Sequence, residues 1–235
     1  MKKAYADYLI KKTENDYNTI ATDFSNTRHS FWSDSLFLLE YIKKNEKLLD
    51  LGCGNGRLYK MVQQLSLDYT GIDISSELIK TAKESFPETK FVVGSALDLP
   101  FENESFDKVI SIAVLHHIPS LKLRIKFMEE GYRVLKKDGQ MIITVWNLWS
   151  NKLARRKYVF SFIKKMFLGK VDIGDIFYPW KDSKRNIIAE RYIHLFTMRE
   201  LKNLAKRVGF QIDSYGVTYN KRNGKPLNFF LILKK

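Results

Sequence analysis

Leu48-Leu49-Asp50-Leu51-Gly52-Cys53-Gly54-Asn55-Gly56-Arg57 is the stretch on which the fold turns. An apolar run enters three glycines at alternate positions and then a helical pattern, the mark of a strand that turns sharply into a helix against a ligand. Glycine permits positive φ and lets a ligand come close to the backbone. The amides at the following helix N-terminus can face polar ligand atoms. G-x-G-x-G is one residue shorter than the dinucleotide turn, and Asp50 stands before the first glycine, where its carboxylate would repel a pyrophosphate. A cationic ligand suits the carboxylate instead.

Working outward, apolar runs at 47–51, 69–74, 90–93, 106–113 and 140–146 alternate with helical patterns at 56–65, 76–86 and 121–135. Repeated βα units imply a parallel sheet covered by helices on both faces. Asp73 ends the second strand, where an acid can accept hydrogen bonds from both hydroxyls of a ribose, with Ile74 beside it. Ser75 or Ser76 already serves to cap the next helix. A nucleoside ligand that also carries an ammonium and a sulfonium satisfies Asp50, the glycines and Asp73 together, which makes S-adenosylmethionine the expected cofactor. The segments 94–101 and 113–119, with Ser95, Ala96, Leu97 and Ala113, follow the third and fourth strands at the edge where open α/β sheets bind ligands.

The flanks differ from this core. Two helix-like stretches within 13–43 enclose a polar, then aromatic segment at 25–32. The alternation breaks over 147–190 and resumes with a helix at 198–208 and strands at 211–217 and 227–233, after a turn at Asn223-Gly224. One α/β domain is expected, with an N-terminal helical cap (1–44), a cofactor-binding core (45–147), an insertion on the substrate side (148–190) and a C-terminal helix and strands (191–235). A chain of 235 residues with 45% apolar content is well suited to bury such a core.

The single cysteine, Cys53, excludes an intramolecular disulfide and offers no cysteine metal cluster, so no metal is expected. Met1-Lys2-Lys3 leads into no apolar signal core, and no run approaches the roughly 20 apolar residues of a membrane span. A cytoplasmic location away from membranes is the expectation. The net charge of +14 favours a polyanion such as RNA as partner.

Over roughly residues 45–147 the sequence resembles the class I methyltransferases. The resemblance rests on the glycine loop, Asp73, Ala96 and Leu97, and Arg133-Val134-Leu135-Lys136-Lys137-Asp138-Gly139 before the fifth strand. It implies a Rossmann-like α/β sheet, mostly parallel with an antiparallel last strand. It also implies that Gly52, Cys53, Gly54 and Gly56 cradle the cofactor and that Ala96 and Leu97 lie beside its adenine. Ser95 is a departure, because many relatives have Asp there to meet the adenine amino group.

Outside the core, Tyr17-Asn18-Thr19-Ile20-Ala21, Phe24 to Arg28, Trp32, Ala113-Val114-Leu115-His116-His117, Asp175-Ile176-Phe177-Tyr178-Pro179-Trp180, Arg191-Tyr192-Ile193-His194-Leu195-Phe196 and Asn228-Phe229-Phe230 are similar to one subfamily. Its members are tRNA methyltransferases that esterify 5-carboxymethyluridine at the wobble position. The resemblance implies a tRNA anticodon loop as partner, no DNA, and, in some relatives, a small zinc-binding activator protein. It places His116 and His117 near the transferred methyl.

Such an acceptor has a carboxylate pKa of about 4 and is ionised at pH 7 without a base, so alignment, desolvation and a cation to hold it become the requirements. Arg28 is the first candidate, since a guanidinium holds two oxygens at once. Trp32, Trp180, Arg191 and His194 complete the expected substrate side. Tyr17, Phe24 and Trp32 could cover the cofactor, with plain packing expected of Phe24. Lys152, Arg155, Arg156, Lys157, Lys164 and Lys165, with Lys181, Lys184 and Arg185, are candidates for the anticodon stem. Tyr158, Phe160 and Phe162 could stack on bases or bury one helix face, and burial is the expectation. Two alternatives stand beside this reading. One is a small-molecule methyltransferase using His116 or His117 as general base, and the other is a cofactor-binding subunit without catalysis.

Overall fold

Leucine- and isoleucine-rich strands buried on both faces build the centre of the molecule. The computed structural model describes residues 1–27, 35–168, 171–182 and 184–235, with residues 164–168 described by their backbone only. A seven-stranded sheet is formed by β1 (Lys47–Leu51), β2 (Asp68–Asp73), β3 (Lys90–Val93), β4 (Phe106–Ile112), β5 (Leu135–Trp146), β8 (Gln211–Tyr219) and β9 (Pro226–Lys234), in the order β3-β2-β1-β4-β5-β9-β8. β1 to β5 run parallel, and β9 runs antiparallel to both β5 and β8. The order reverses between β1 and β4, and a ligand crevice opens at such a reversal.

The two-residue period of the strands divides the core. Leu49, Leu51, Ile143, Leu231 and Leu233 face α4 (Leu121–Val134) and α6 (Met198–Val208), packing with Phe127, Leu201 and Leu204. Leu48, Ile110, Ile142 and Ile232 pack on the other side with Leu58 of α2 (Arg57–Val62), Ile79 and Ala82 of α3 (Ser76–Ser85) and Leu38. Each fully buried Leu or Ile contributes roughly 1.5–3 kcal/mol of hydrophobic stabilisation. Local signals agree with this packing. Ser75 and Thr197 cap α3 and α6, and Gly209 at φ 105 ends α6.

The N-terminal region differs from expectation. α1 runs unbroken over Lys3–Thr27, ten residues earlier than the pattern suggested, and the second stretch is a short 3-10 helix, Leu36–Tyr41. Ala6 and Leu9 are buried at helical spacing, and Lys3–Asp7 and Lys12–Asp16 pair one turn apart. The early turns are therefore docked, although their composition is polar.

The segment after β5 forms α5 (Lys152–Leu168) and a separate hairpin of β6 (Asp175–Lys181) and β7 (Ile187–His194), which crosses the expected boundary at 190/191. The expected burial of the α5 aromatics holds for Tyr158, which packs on Trp149, but Phe160 and Phe162 are exposed. Ala154, Tyr158 and Ser161 form the inner face, and the two phenylalanines fall outside that stripe.

The hairpin is fastened to the core by one buried carboxylate. Asp175 Oδ1 accepts the Tyr192 hydroxyl at 2.6 Å and His194 Nδ1 at 2.7 Å, and Arg124 of α4 stands 3.9 Å away. His194 Nε2 meets Glu200 of α6 at 2.8 Å. Burial opposes a charge on His194, but the bonds to Asp175 and then Glu200 outweigh it, and its pKa is raised. Replacing Asp175 by Ala leaves Arg124, His194 and Tyr192 buried without their shared acceptor. Loss of one partner from such a buried set costs about 3–5 kcal/mol. Urea denaturation of Asp175→Ala should show that loss, and a midpoint equal to wild type would refute the fastening role.

Candidate active site

The carboxyl ends of β1, β2 and β4 open into a cavity of about 550 Å³, within the range of small-molecule sites. Gly52, Cys53, Gly54, Asp73, Ile74, Ser95, Ala96, Leu97 and Ala113 line one side. Ile10, Thr13, Tyr17, Phe24 and Thr27 of α1 form the roof, and His117, Trp146, Trp180 and Arg191 form the far wall.

The glycine loop needs its glycines for two reasons. Gly52, Gly54 and Gly56 sit at φ 84, 55 and 79, a region costly for other residues. A Cβ on Gly52 would also stand 2.2 Å from a methyl of Val114. Asp73 joins this loop to the next: its carboxylate accepts from Gly54 N and Ser75 N, both at 2.9 Å. Burial raises its pKa against those bonds. A carboxylate has about four acceptor sites, so Asp73 retains capacity toward the cavity. Ser95 Oγ accepts from Leu97 N at 3.1 Å, shaping the turn after β3. Ala113 occupies φ 60 without being glycine, local strain of the kind that clusters at functional sites.

Two loop residues stand apart from the cavity wall. Gly56 caps α2, and a Cβ there would crowd Phe86 and Phe91. The Asp50 carboxylate is buried and accepts the Tyr69 hydroxyl of the neighbouring strand at 2.5 Å. Burial, with the nearby Asp73 charge adding and the Tyr69 bond opposing, raises its pKa to about 7. Asp50 therefore supports the loop from behind instead of contacting a ligand.

The histidine pair is also placed otherwise than expected. His116 is fully buried off the cavity wall, packed on His117 and on Trp146, whose amide donates to His116 Nδ1 at 3.4 Å. His117 does line the cavity, but both ring nitrogens are engaged. Nδ1 meets the Tyr192 carbonyl at 2.8 Å and so carries the proton, which leaves Nε2 to accept the Tyr17 hydroxyl at 2.8 Å. Burial, then the Arg191 charge, depress the His117 pKa to about 3, and burial drives that of His116 well down. Neither can serve as a base near pH 7 in this arrangement.

Arg191 and Trp180 meet in the far wall. The Arg191 guanidinium lies 4.7 Å from the Trp180 ring and 5.0 Å from the Trp146 ring. It is 4% exposed, and Nε and Nη1 have no hydrogen-bond partner among the described residues. Buried donors without acceptors are rare in folded proteins, so the guanidinium has hydrogen-bonding capacity to spare, although the Asp16 carboxylate of α1 lies within electrostatic range of it. Trp146 was not among the candidates. Val145-Trp146-Asn147 forms part of the subfamily resemblance, but nothing in the sequence gave its indole a role. His194 is displaced from the site into the Asp175–Glu200 linkage, where both nitrogens are occupied. Arg28 and Trp32 lie outside the described residues.

Three polar contacts tie α1 over the cavity. Tyr17 meets His117, Asn18 Oδ1 accepts from Ser75 Oγ at 2.7 Å, and Asp23 Oδ2 accepts the Trp180 indole at 2.6 Å. Asn18 stood in the sequence only within the subfamily stretch Tyr17 to Ala21, with no role of its own, and Asp23 had no place in the expectations.

Residues 49–143 match the methyltransferase domain family model. The chain is 30% identical over 225 residues to the tRNA (carboxymethyluridine(34)-5-O)-methyltransferase of Schizosaccharomyces pombe, covering 88% of this chain and 91% of the relative. It is 40% identical over 130 residues to the Arabidopsis thaliana protein of the same name, covering 55% of this chain, and spans only 31% of that relative's length. A crystal structure of a SAM-dependent methyltransferase from Methanosarcina mazei superposes with a TM-score of 0.72 at 28% identity, covering 85% of this chain and 97% of the other.

The Asp50 environment has a measurable consequence. Its pKa in the fold, about 7, exceeds that of an unfolded aspartate, about 3.9. The folded state therefore binds more protons between those values, and this group's contribution to stability falls as pH rises through that window. Asp50→Asn keeps an acceptor for Tyr69 and removes the charge. The variant should gain stability relative to wild type between about pH 5 and pH 8 in paired urea melts, whereas a pH-independent difference would exclude this titration.

Proposed function

The chain belongs to the S-adenosylmethionine-dependent methyltransferase family, and from that membership we propose that it methylates the carboxylate of 5-carboxymethyluridine at the tRNA wobble position. The observation that carries the reading is the buried Arg191 guanidinium beside two indoles on the cavity wall, with Nε and Nη1 unpaired among the described residues and His117, the described histidine on that wall, held neutral.

The cavity fits the cofactor. Asp73 keeps acceptor capacity for ribose hydroxyls, Gly52 and Gly54 bring their positive-φ backbone to the cavity wall without side chains, and Ala96 and Leu97 give an apolar slot. Ser95, with its hydroxyl used in its own turn, borders that slot. S-adenosylmethionine supplies a methyl group on a positively charged sulfur, open to attack by an oxyanion.

The protein's share is orientation and dehydration. Arg191 would pair with the acceptor carboxylate, fixing one oxygen and presenting the other. The α1 roof and the indoles exclude water, which removes the hydration that quiets a carboxylate. Trp146 and Trp180 flank the guanidinium at cation–π distance and restrict its movement. Arg28, next in sequence after the cavity residue Thr27, is a second proposed cation for the substrate. A phenol or carbon acid would need its proton taken, and the state of His117 argues against that rival.

The test is nucleoside mass spectrometry of tRNA lacking the wobble ester, after incubation with the protein and S-adenosylmethionine. Appearance of the carboxymethyluridine methyl ester is expected, and its absence overturns the acceptor. Arg191→Met should lower kcat/KM for tRNA by about 10- to 100-fold, as for one charge-assisted hydrogen bond, with cofactor affinity retained. Since neither described histidine at the site titrates near neutrality, kcat/KM should stay nearly flat from about pH 6 to 8. A limb with a histidine pKa there would favour the base-dependent rival.

A further inference from the structure

The outer face of α5 is apolar where a solvent-facing helix should be polar. Val159, Phe160, Phe162 and Ile163 are 60%, 50%, 54% and 46% exposed, and Arg155 and Arg156 are exposed beside them. The inner face already packs on the hairpin and on Trp149. A helix apolar on both faces is ordinarily covered on both. Its sequence, KLARRKYVFSFIKKMFL, contains no acidic residue.

Charge complementarity decides what covers it. A second copy of a chain with net charge +14 would be repelled, whereas a polyanion is attracted. Arginines interleaved with aromatic rings are the composition of surfaces that stack unpaired bases while pairing with phosphates. Arg156 already lies 5.9 Å from the Phe160 ring. The helix also starts beside the cavity: Leu148 is on the cavity wall, and Trp149 packs on Tyr158 of α5. Phe160 is therefore about 12 Å along the helix axis from its start, within reach of nucleotides flanking one drawn into the cavity.

We propose that this face of α5 is a base-stacking platform for single-stranded RNA, taking nucleotides next to the methyl acceptor, with Arg155 and Arg156 on their phosphates. The inference rests on the tRNA reading of the cavity. A base withdrawn from a loop leaves its neighbours without a stacking partner, and the exposed rings of Phe160 and Phe162, one on each flank of the helix, offer replacement surfaces. This also explains why the two rings stay outside the packed stripe.

The probe is an anticodon stem-loop oligonucleotide carrying 5-carboxymethyluridine, with binding measured over a salt series. Phe160→Ser with Phe162→Ser should weaken binding about tenfold while leaving the salt slope unchanged. Arg155→Glu with Arg156→Glu should weaken it similarly and flatten the slope. S-adenosylmethionine affinity, unchanged in both, shows that the variants are folded. Wild-type affinity in both variants overturns the platform, and wild-type RNA affinity together with lost self-association assigns the face to a protein contact instead. If wild-type protein itself ignores the stem-loop, the tRNA reading falls with it.

Discussion

The Asp175 carboxylate is the interaction from which the substrate half of the site is hung. It gathers Tyr192, His194 and Arg124 in the interior and so holds the β6–β7 hairpin against α4 and α6. β7 in turn carries Arg191 into the cavity wall and, through the Tyr192 carbonyl, sets which nitrogen of His117 is protonated. His117 then accepts from Tyr17 on α1. One buried acid thus sets the position of a cation, the tautomer of an imidazole and one attachment of the roof. Buried polar groups favour a single arrangement when they are satisfied; Asp175, Tyr192 and His194 meet that condition, while Arg124 Nε and the Arg191 Nε and Nη1 have no partner among the described residues.

The core of the fold was legible in the sequence because strand and helix periods are local. The glycine loop, the alternating strands and the acid after β2 report on their own backbones. The mostly parallel sheet with its antiparallel last strand came from the family resemblance, and the structure agrees, while the strand order was not read from the sequence. The early start of α1 was hidden, since Lys3 to Lys12 is polar and helical only by virtue of what it docks on. The second strand of the hairpin was hidden for a related reason: its partner β6 lies in a separate two-stranded sheet, paired by register and not by any turn signal.

The site was legible as a neighbourhood more than as a set of roles. Asp73, the loop from Gly52 to Gly54, Ser95 to Leu97, Trp180 and Arg191 converge on one cavity. His116, His194 and Asp50 do not, although each is chemically suited to a site. What separates the two groups is the direction of a side chain and who answers it: Tyr69 takes Asp50, Glu200 takes His194, and the Trp146 amide takes His116. A one-dimensional pattern fixes where a residue lies along a strand and leaves its partner undetermined.

The contacts that seat α1 also set a barrier. The Tyr17, Asn18 and Asp23 bonds lie on one helix, so the roof lifts as a unit or not at all. At about 1 kcal/mol net per hydrogen bond, the three add to the burial of Leu9 and Ile20, so an uncovered form is scarce. The same bonds that keep water from the cavity therefore also oppose any exchange of its contents by that side.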